Sequence, residues 1–216
     1  MKLLYVDNFR SIAISLIVFN HVRSIFDWKL NVSIENFLIV LVENATVLFV
    51  FVSGYLFSYL IDRYSYKRFL ISKVKYVLFP YILCSIPAIL YFTLFKEREG
   101  VPDEFYSSSV LFKVAYFYFT GIHLAPYWYI PTIFLYFLTS PIFYFLHSRK
   151  LLLWLLPFLI AVSLNIGRLD VIPSALHFMS VYVLGMIFCQ YKDILNTYLN
   201  KSAVIISLLV IYLVTF

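Results

Sequence analysis

Arg10 and His21 stand eleven residues apart at the start of the chain, His21 inside an apolar run and Arg10 at its entrance. On an α-helix that separation is three turns plus about 20°, so both side chains leave one face, about 16 Å apart along the axis. A titratable group inside hydrocarbon is costly and needs a reason. The chemistry that suits an imidazole there is general-base work on a hydroxyl, because its neutral form takes up a proton near pH 7. Asn20 adjoins His21, Asp7 lies one turn before Arg10, and the next apolar run contains Glu43 and Asn44. If the two runs are antiparallel helices, His21 and Glu43 differ in depth by about 6 Å, a gap that side-chain reach or tilt closes. The carboxylate could then orient the imidazole, as in other His–carboxylate pairs. The plainer alternative is that His21 hydrogen-bonds a neighbouring helix, as polar residues in bundles do. Spacing alone leaves both open.

Five cations, Arg63, Lys67, Arg68, Lys73 and Lys75, fall between Arg63 and Lys75. Clustered ammonium and guanidinium groups complement phosphate, which suits Lys67, Arg68, Lys73 and Lys75 to a phosphate-bearing ligand. The alternative is that they anchor topology at the inner membrane surface. Gly54, within Ser53-Gly54-Tyr55, suits close helix packing, and Trp128, within Tyr127-Trp128-Tyr129-Ile130-Pro131, suits an interfacial aromatic belt. Cys84 and Cys189 lack metal-ligand spacing, and no glycine-rich nucleotide loop occurs among the five glycines, so no metal is expected.

The elements that carry these residues follow from composition. Of 216 residues, 63% are hydrophobic and 13% charged, against roughly half and a quarter in soluble domains. Lipid is the solvent that tolerates such a surface. Apolar runs long enough to approach a bilayer's thickness extend over 11–26, 34–61, 76–95, 127–146, 151–166, 174–190 and 202–216. The expected fold is therefore all-α, a polytopic transmembrane bundle of about seven spans forming a single membrane domain over 1–216. Residues 108–121 are apolar but short, and either span or lie at the interface. With that segment at the interface and the N-terminus cytoplasmic, the inner side holds 11 Lys and Arg against 6 outside. If it spans, the bias disappears, so the interfacial placement is preferred. The net charge of +6 is scattered through short loops, a topology signal and not a nucleic-acid surface. The last run reaches Phe216 without a polar flank, which gives the expectation that further spans follow.

The order of these pieces resembles the acyltransferase 3 family. Asp7-Asn8-Phe9-Arg10-Ser11-Ile12-Ala13 followed by His21 is similar to the family's first helix, in which an Arg, ten residues and a His recur. Leu48–Leu56 resembles its phenylalanine-rich Ser-Gly-aromatic motif, and Lys73 to Pro80-Tyr81 its basic loop ending in Pro-Tyr. Trp128-Tyr129 with Pro141, and His177 through Leu184-Gly185, match later helices. The family's frequent Arg-x-x-Arg reads Lys73-Val74-Lys75-Tyr76 here, and Pro126 stands where many members have a His.

The resemblance implies an O-acyltransferase in the cell membrane, the inner membrane of a bacterium, that moves an acyl group, commonly acetyl, from cytosolic acyl-CoA to a hydroxyl of an envelope sugar or glycan. His21 would be the base, with Glu43 orienting it. Arg10 would place the donor or pair with Asp7, Lys67, Arg68, Lys73 and Lys75 would receive the phosphates, and Trp128 would contact substrate. No cofactor beyond acyl-CoA as donor is implied. The family's usual span number implies about three further helices, C-terminal to these or from a second chain. Two other readings stay open: a transporter or lipid- or glycan-flipping subunit, disfavoured by the lack of paired broken helices, and an inactive portion of the fold.

Overall fold

The computed structural model describes residues 4–23, 38–39, 42, 45–101, 103–167 and 170–199. Among them no strand occurs, and helix dominates. A chain this apolar has little water to satisfy its peptide groups, and the helix pairs each N–H and C=O within its own segment. The described residues form two compact units, one drawn from 1–60 and 181–216, the other from 61–180.

The first unit contains α1 (Leu4–Arg23) and α2 (Ala45–Tyr59), which pack together. Val6 and Ala13 are buried on α1, and the Phe9 ring lies 6.2 Å from that of Phe51. A second contact joins α2 to residues 181–190. Phe51 meets Phe188 edge to face at 5.3 Å, and Phe57 lies 6.4 Å from Tyr182. Gly54 and Gly185 set the closeness of that contact: a Cβ on Gly54 would stand 1.9 Å from the Tyr182 carbonyl oxygen, and one on Gly185 2.1 Å from that of Phe51.

The second unit is built on a continuous helix of 29 residues, Tyr66–Leu94. It comprises α3 (Tyr66–Lys73), a π-helical turn over Val74–Leu78, and α4 (Phe79–Leu94). Pro80 has no N–H for the preceding turn, and its ring crowds the carbonyl four residues back. A widened turn just before it absorbs both without breaking the helix. Tyr81, Ser85 and Ile89, spaced by four, form the buried stripe of α4, and Ile89 joins Val101, Phe105 and Phe117 in a small core. The most apolar stretch of Tyr66–Leu94 is only 17% buried, whereas that of Val171–Gln190 is 56% buried. The first helix thus presents most of its apolar surface outward, an arrangement stable only where the surroundings are themselves apolar.

α5 (Asp103–Tyr106) and α6 (Val110–Thr120) follow. Ser109 caps α6 by accepting from the Phe112 N–H at 3.3 Å, and Gly121 ends it in the left-handed region at φ 71°. A 3₁₀ turn over Ala125–Trp128 leads into α7 (Tyr129–Leu138), and α8 (Ser140–Ser148) departs from it at 55°. Pro141, in the first turn of α8, cannot donate to the Phe137 carbonyl, which accounts for the break. α9 (Leu152–Asn165), α10 (Val171–Gln190) and α11 (Lys192–Leu199) complete the described chain, with α10 contributing its two halves to the two units.

Two helices among the described residues, Tyr66–Leu94 and Val171–Gln190, are long and apolar enough to cross a membrane, and the bent pair over 125–148 makes a third if it forms one span. α2, α6 and α9 are apolar but shorter. The sequence leads to about seven spans, and the structure supports the all-helical class with two or three. Of the other expected spans, 202–216 lies outside the described residues and 11–26 and 34–61 lie partly outside them. The segment 108–121 is the 11-residue helix α6, about 16 Å long and roughly half a hydrocarbon core.

Candidate functional site

Arg10 and His21 both belong to α1, which is helical without interruption between them. Both are exposed. Taking 100° per residue from buried Val6, they lie at about 40° and 60°, on the flank of the stripe that packs on α2. Asp7 is exposed one turn earlier, and its backbone carbonyl accepts from the Ser11 hydroxyl at 2.9 Å. Glu43 and Asn44 lie outside the described residues, and so does the expected His21–Glu43 pair.

The basic segment belongs to the second unit, and its members differ. Lys67, Arg68 and Lys75 are exposed. Lys73 is half-buried: its ammonium lies 5.2 Å from the Phe69 ring centroid and 4.8 Å from that of Phe137 on α7. Lys73 therefore ties α3 to α7 through two aromatic faces. The same segment grips the break between α7 and α8, where Tyr64 Oη and Ser140 Oγ are 2.9 Å apart, the Tyr64 ring stacks on Tyr144 at 5.0 Å, and Tyr66 donates to the Leu138 carbonyl at 3.4 Å.

Trp128 ends the 3₁₀ turn, stacked on Phe178 at 5.5 Å. Its carbonyl accepts from the Thr132 hydroxyl at 2.9 Å. His177, next to Phe178, approaches the Ile166 carbonyl through Nδ1 at 2.9 Å.

The loop between α6 and the 3₁₀ turn folds around His123. Gly121 opens it, and a Cβ there would stand 2.5 Å from the Tyr127 carbonyl oxygen, so glycine is required for space as well as for its φ. Backbone bonds from Leu124 to Gly121 and from Tyr127 to Leu124 close two successive turns. His123 points inward, 1% exposed, within rings of Tyr81, Phe117, Tyr118 and Tyr127 at 5.5 to 6.4 Å. Its Nδ1 lies 3.0 Å from the Phe117 carbonyl oxygen. A carbonyl only accepts, so Nδ1 carries the proton. Burial lowers the imidazole pKa, the Phe117 carbonyl opposes that shift, and the Arg98 charge adds to it. A separate open groove of about 290 Å³ is lined by Glu104, Phe105, Ser108, Phe112 and Tyr116, and none of the residues expected to act from sequence lines it.

The family model described as an acyltransferase domain, Acyl_transf_3, matches residues 3–216. The chain belongs to the acyltransferase 3 family. No curated protein and no solved structure matches it.

With the family established, the motifs quoted from sequence have definite places in this acyltransferase-family chain. The Arg–His helix is α1, the Ser-Gly-aromatic motif is the close-packing face of α2, and the basic Pro-Tyr segment runs from the end of α3 through the π turn into the start of α4. His123 is not singled out by spacing, because it lies in no periodic pattern with another polar residue. The available signal is Gly121-Ile122-His123 breaking an aromatic run just before the Trp128 motif.

Proposed function

We propose that this chain is a membrane-embedded O-acyltransferase that moves an acyl group, acetyl in the simplest case, from cytosolic acyl-CoA to a hydroxyl of an envelope sugar or glycan. One observation carries the reading: Arg10 and His21, separated by the ten residues of the family pattern, lie on the same side of an unbroken helix. A sugar hydroxyl is a weak nucleophile near neutral pH and needs a base within hydrogen-bond reach. His21 supplies that base, Glu43 orients it, and Arg10 with Asp7 places the donor. The exposed cations Lys67, Arg68 and Lys75 receive the donor phosphates, with Lys73 behind them, and Trp128 offers a ring face to substrate. The chain crosses the cell membrane about seven times with its N-terminus cytoplasmic. The donor is the only cofactor-like group required.

The test is turnover per folded molecule with radiolabelled acetyl-CoA, in a context that includes any further helices. His21→Ala should lower turnover by about 100-fold or more while donor binding stays near normal. Arg10→Ala should weaken donor binding first. Wild-type turnover in folded His21→Ala protein would refute the assignment of the base.

A further inference from the structure

His123 is a second imidazole whose state the fold defines more fully than spacing does. Nδ1–H is committed to the Phe117 carbonyl, which also accepts the Gly121 N–H at 2.9 Å. Nε2 therefore carries a lone pair and no proton. It is buried and has no hydrogen-bond partner among the described residues. An unmet acceptor of this kind costs free energy that a hydrophobic residue of similar volume would avoid. Holding the loop does not account for it either, since that needs only a donor at the Nδ1 position.

The surrounding rings are unequal. Tyr81 donates to the Tyr118 carbonyl at 2.8 Å, Tyr118 donates to the Ile82 carbonyl at 3.0 Å, and Phe117 is fully buried. Tyr127, packed at right angles to the imidazole at 5.5 Å, is half-buried and its hydroxyl makes no hydrogen bond among the described residues. Of the three tyrosines it is the one held by packing alone, and unlike Phe117 it is partly exposed, so its rotation is the least costly route to Nε2.

We infer that His123 Nε2 is the docking atom for a hydroxyl group of the acyl acceptor, reached when Tyr127 turns aside. This rests on the acyltransferase reading for the identity of the ligand as an acceptor, and on the loop alone for its chemistry as an O–H donor. An ammonium ligand would donate to the imidazole nitrogen as well, but it would lose its hydration among the buried rings and face the Arg98 charge, so the site favours a neutral donor that also presents C–H faces, as a sugar ring does. His123 binds and positions. It takes no proton in this proposal.

The experiment uses the full chain in lipid nanodiscs with ¹⁵N-labelled histidine. Methyl glucoside, methyl galactoside and methyl rhamnoside are titrated in turn, and each is paired with its fully O-methylated ether, which has the same shape class and no O–H. At least one free glycoside should move the His123 Nε2 resonance upfield, as a lone pair does on accepting a hydrogen bond, and no ether should. A resonance that ignores every glycoside, or that answers ethers and glycosides alike, overturns the proposal and leaves a buried water as the occupant. His123→Asn keeps a donor where Nδ1–H was and removes the acceptor. It should retain thermal stability and raise the acceptor KM by about tenfold or more, with the donor KM unchanged. Acyl transfer at an unchanged acceptor KM in that variant would refute the site and leave the transferase reading standing. A glycoside-dependent shift in a protein that transfers no acyl group would do the reverse.

Discussion

Gly54 and Tyr182 are in backbone contact: a methyl group on Gly54 would stand 1.9 Å from the Tyr182 carbonyl oxygen, where ordinary contact begins at 3.4 Å. Gly185 meets Phe51 in the same way. Backbone cannot rotate aside as a side chain can, so Gly54→Ala must push the helices apart by roughly 1.5 Å, an overpacking that typically costs about 1–3 kcal/mol. Gly54→Ala and Gly185→Ala should each lower the melting temperature and the yield of monodisperse protein, and the pair should cost less than the sum, because the first separation makes room for the second methyl. Wild-type melting temperatures in both would mean that α2 and residues 181–190 do not meet through these glycines.

The four lysines and arginines proposed to receive the donor should divide under mutation. Lys73→Gln removes an ammonium lying on Phe69 and Phe137 and should cost stability of about 1 kcal/mol. Gln at Lys67, Arg68 and Lys75, all exposed, should leave the melting temperature within error and weaken acyl-CoA binding measured by calorimetry. Equal stability losses at all four positions would contradict this division.

Stability should depend on pH through His123. Burial holds its pKa below the ordinary 6.5, so between the folded and unfolded pKa values the unfolded chain binds the extra proton. The contribution is therefore constant above about pH 6.5 and stability falls as pH drops below it. The groups facing this ring are Arg98, Tyr81, Tyr118 and Tyr127, and none has an ordinary pKa in that window. Comparing melting temperature from pH 7.5 to 5 in wild type and His123→Asn tests it. The acid-side slope should be shallower in the variant, and identical slopes would remove His123 as its source.

The positive-inside bias of 11 against 6 makes the fourth prediction. Reporter fusions after Arg149 and after Lys192 should read as cytoplasmic, and one within 96–109 as external. An external signal after Arg149 would mean that α6 crosses the bilayer.

The helical class was legible because continuous apolar runs of about twenty residues suit segments that satisfy their own backbone, as a helix does, and the family was legible because Arg10, His21, Ser53-Gly54-Tyr55 and Trp128 keep their order along the chain. Span count was less so. A run of apolar residues such as 127–146 does not announce that Pro141 will divide it at 55°, since proline is tolerated in many membrane helices. The role of Lys73 was hidden for a different reason. Its charge places it with Lys67 and Arg68, and only the fold reveals Phe137, sixty-four positions later, beneath its ammonium. His123 is the extreme case, because its state depends on a carbonyl and four rings that no local pattern predicts.

The length of Tyr66–Leu94 carries one more consequence. Its 29 residues measure about 43 Å against a hydrocarbon core of about 30 Å. The mismatch is met either by tilting or by letting roughly the first eight residues, α3, stand clear of the lipid. Those eight include Lys67, Arg68 and Lys73, which disfavours drawing them inward. Membrane thickness thus acts as a ruler on this helix: a thicker bilayer pulls the cationic turn toward the headgroups, where lipid phosphates compete for it, and a thinner one extends it into the aqueous phase.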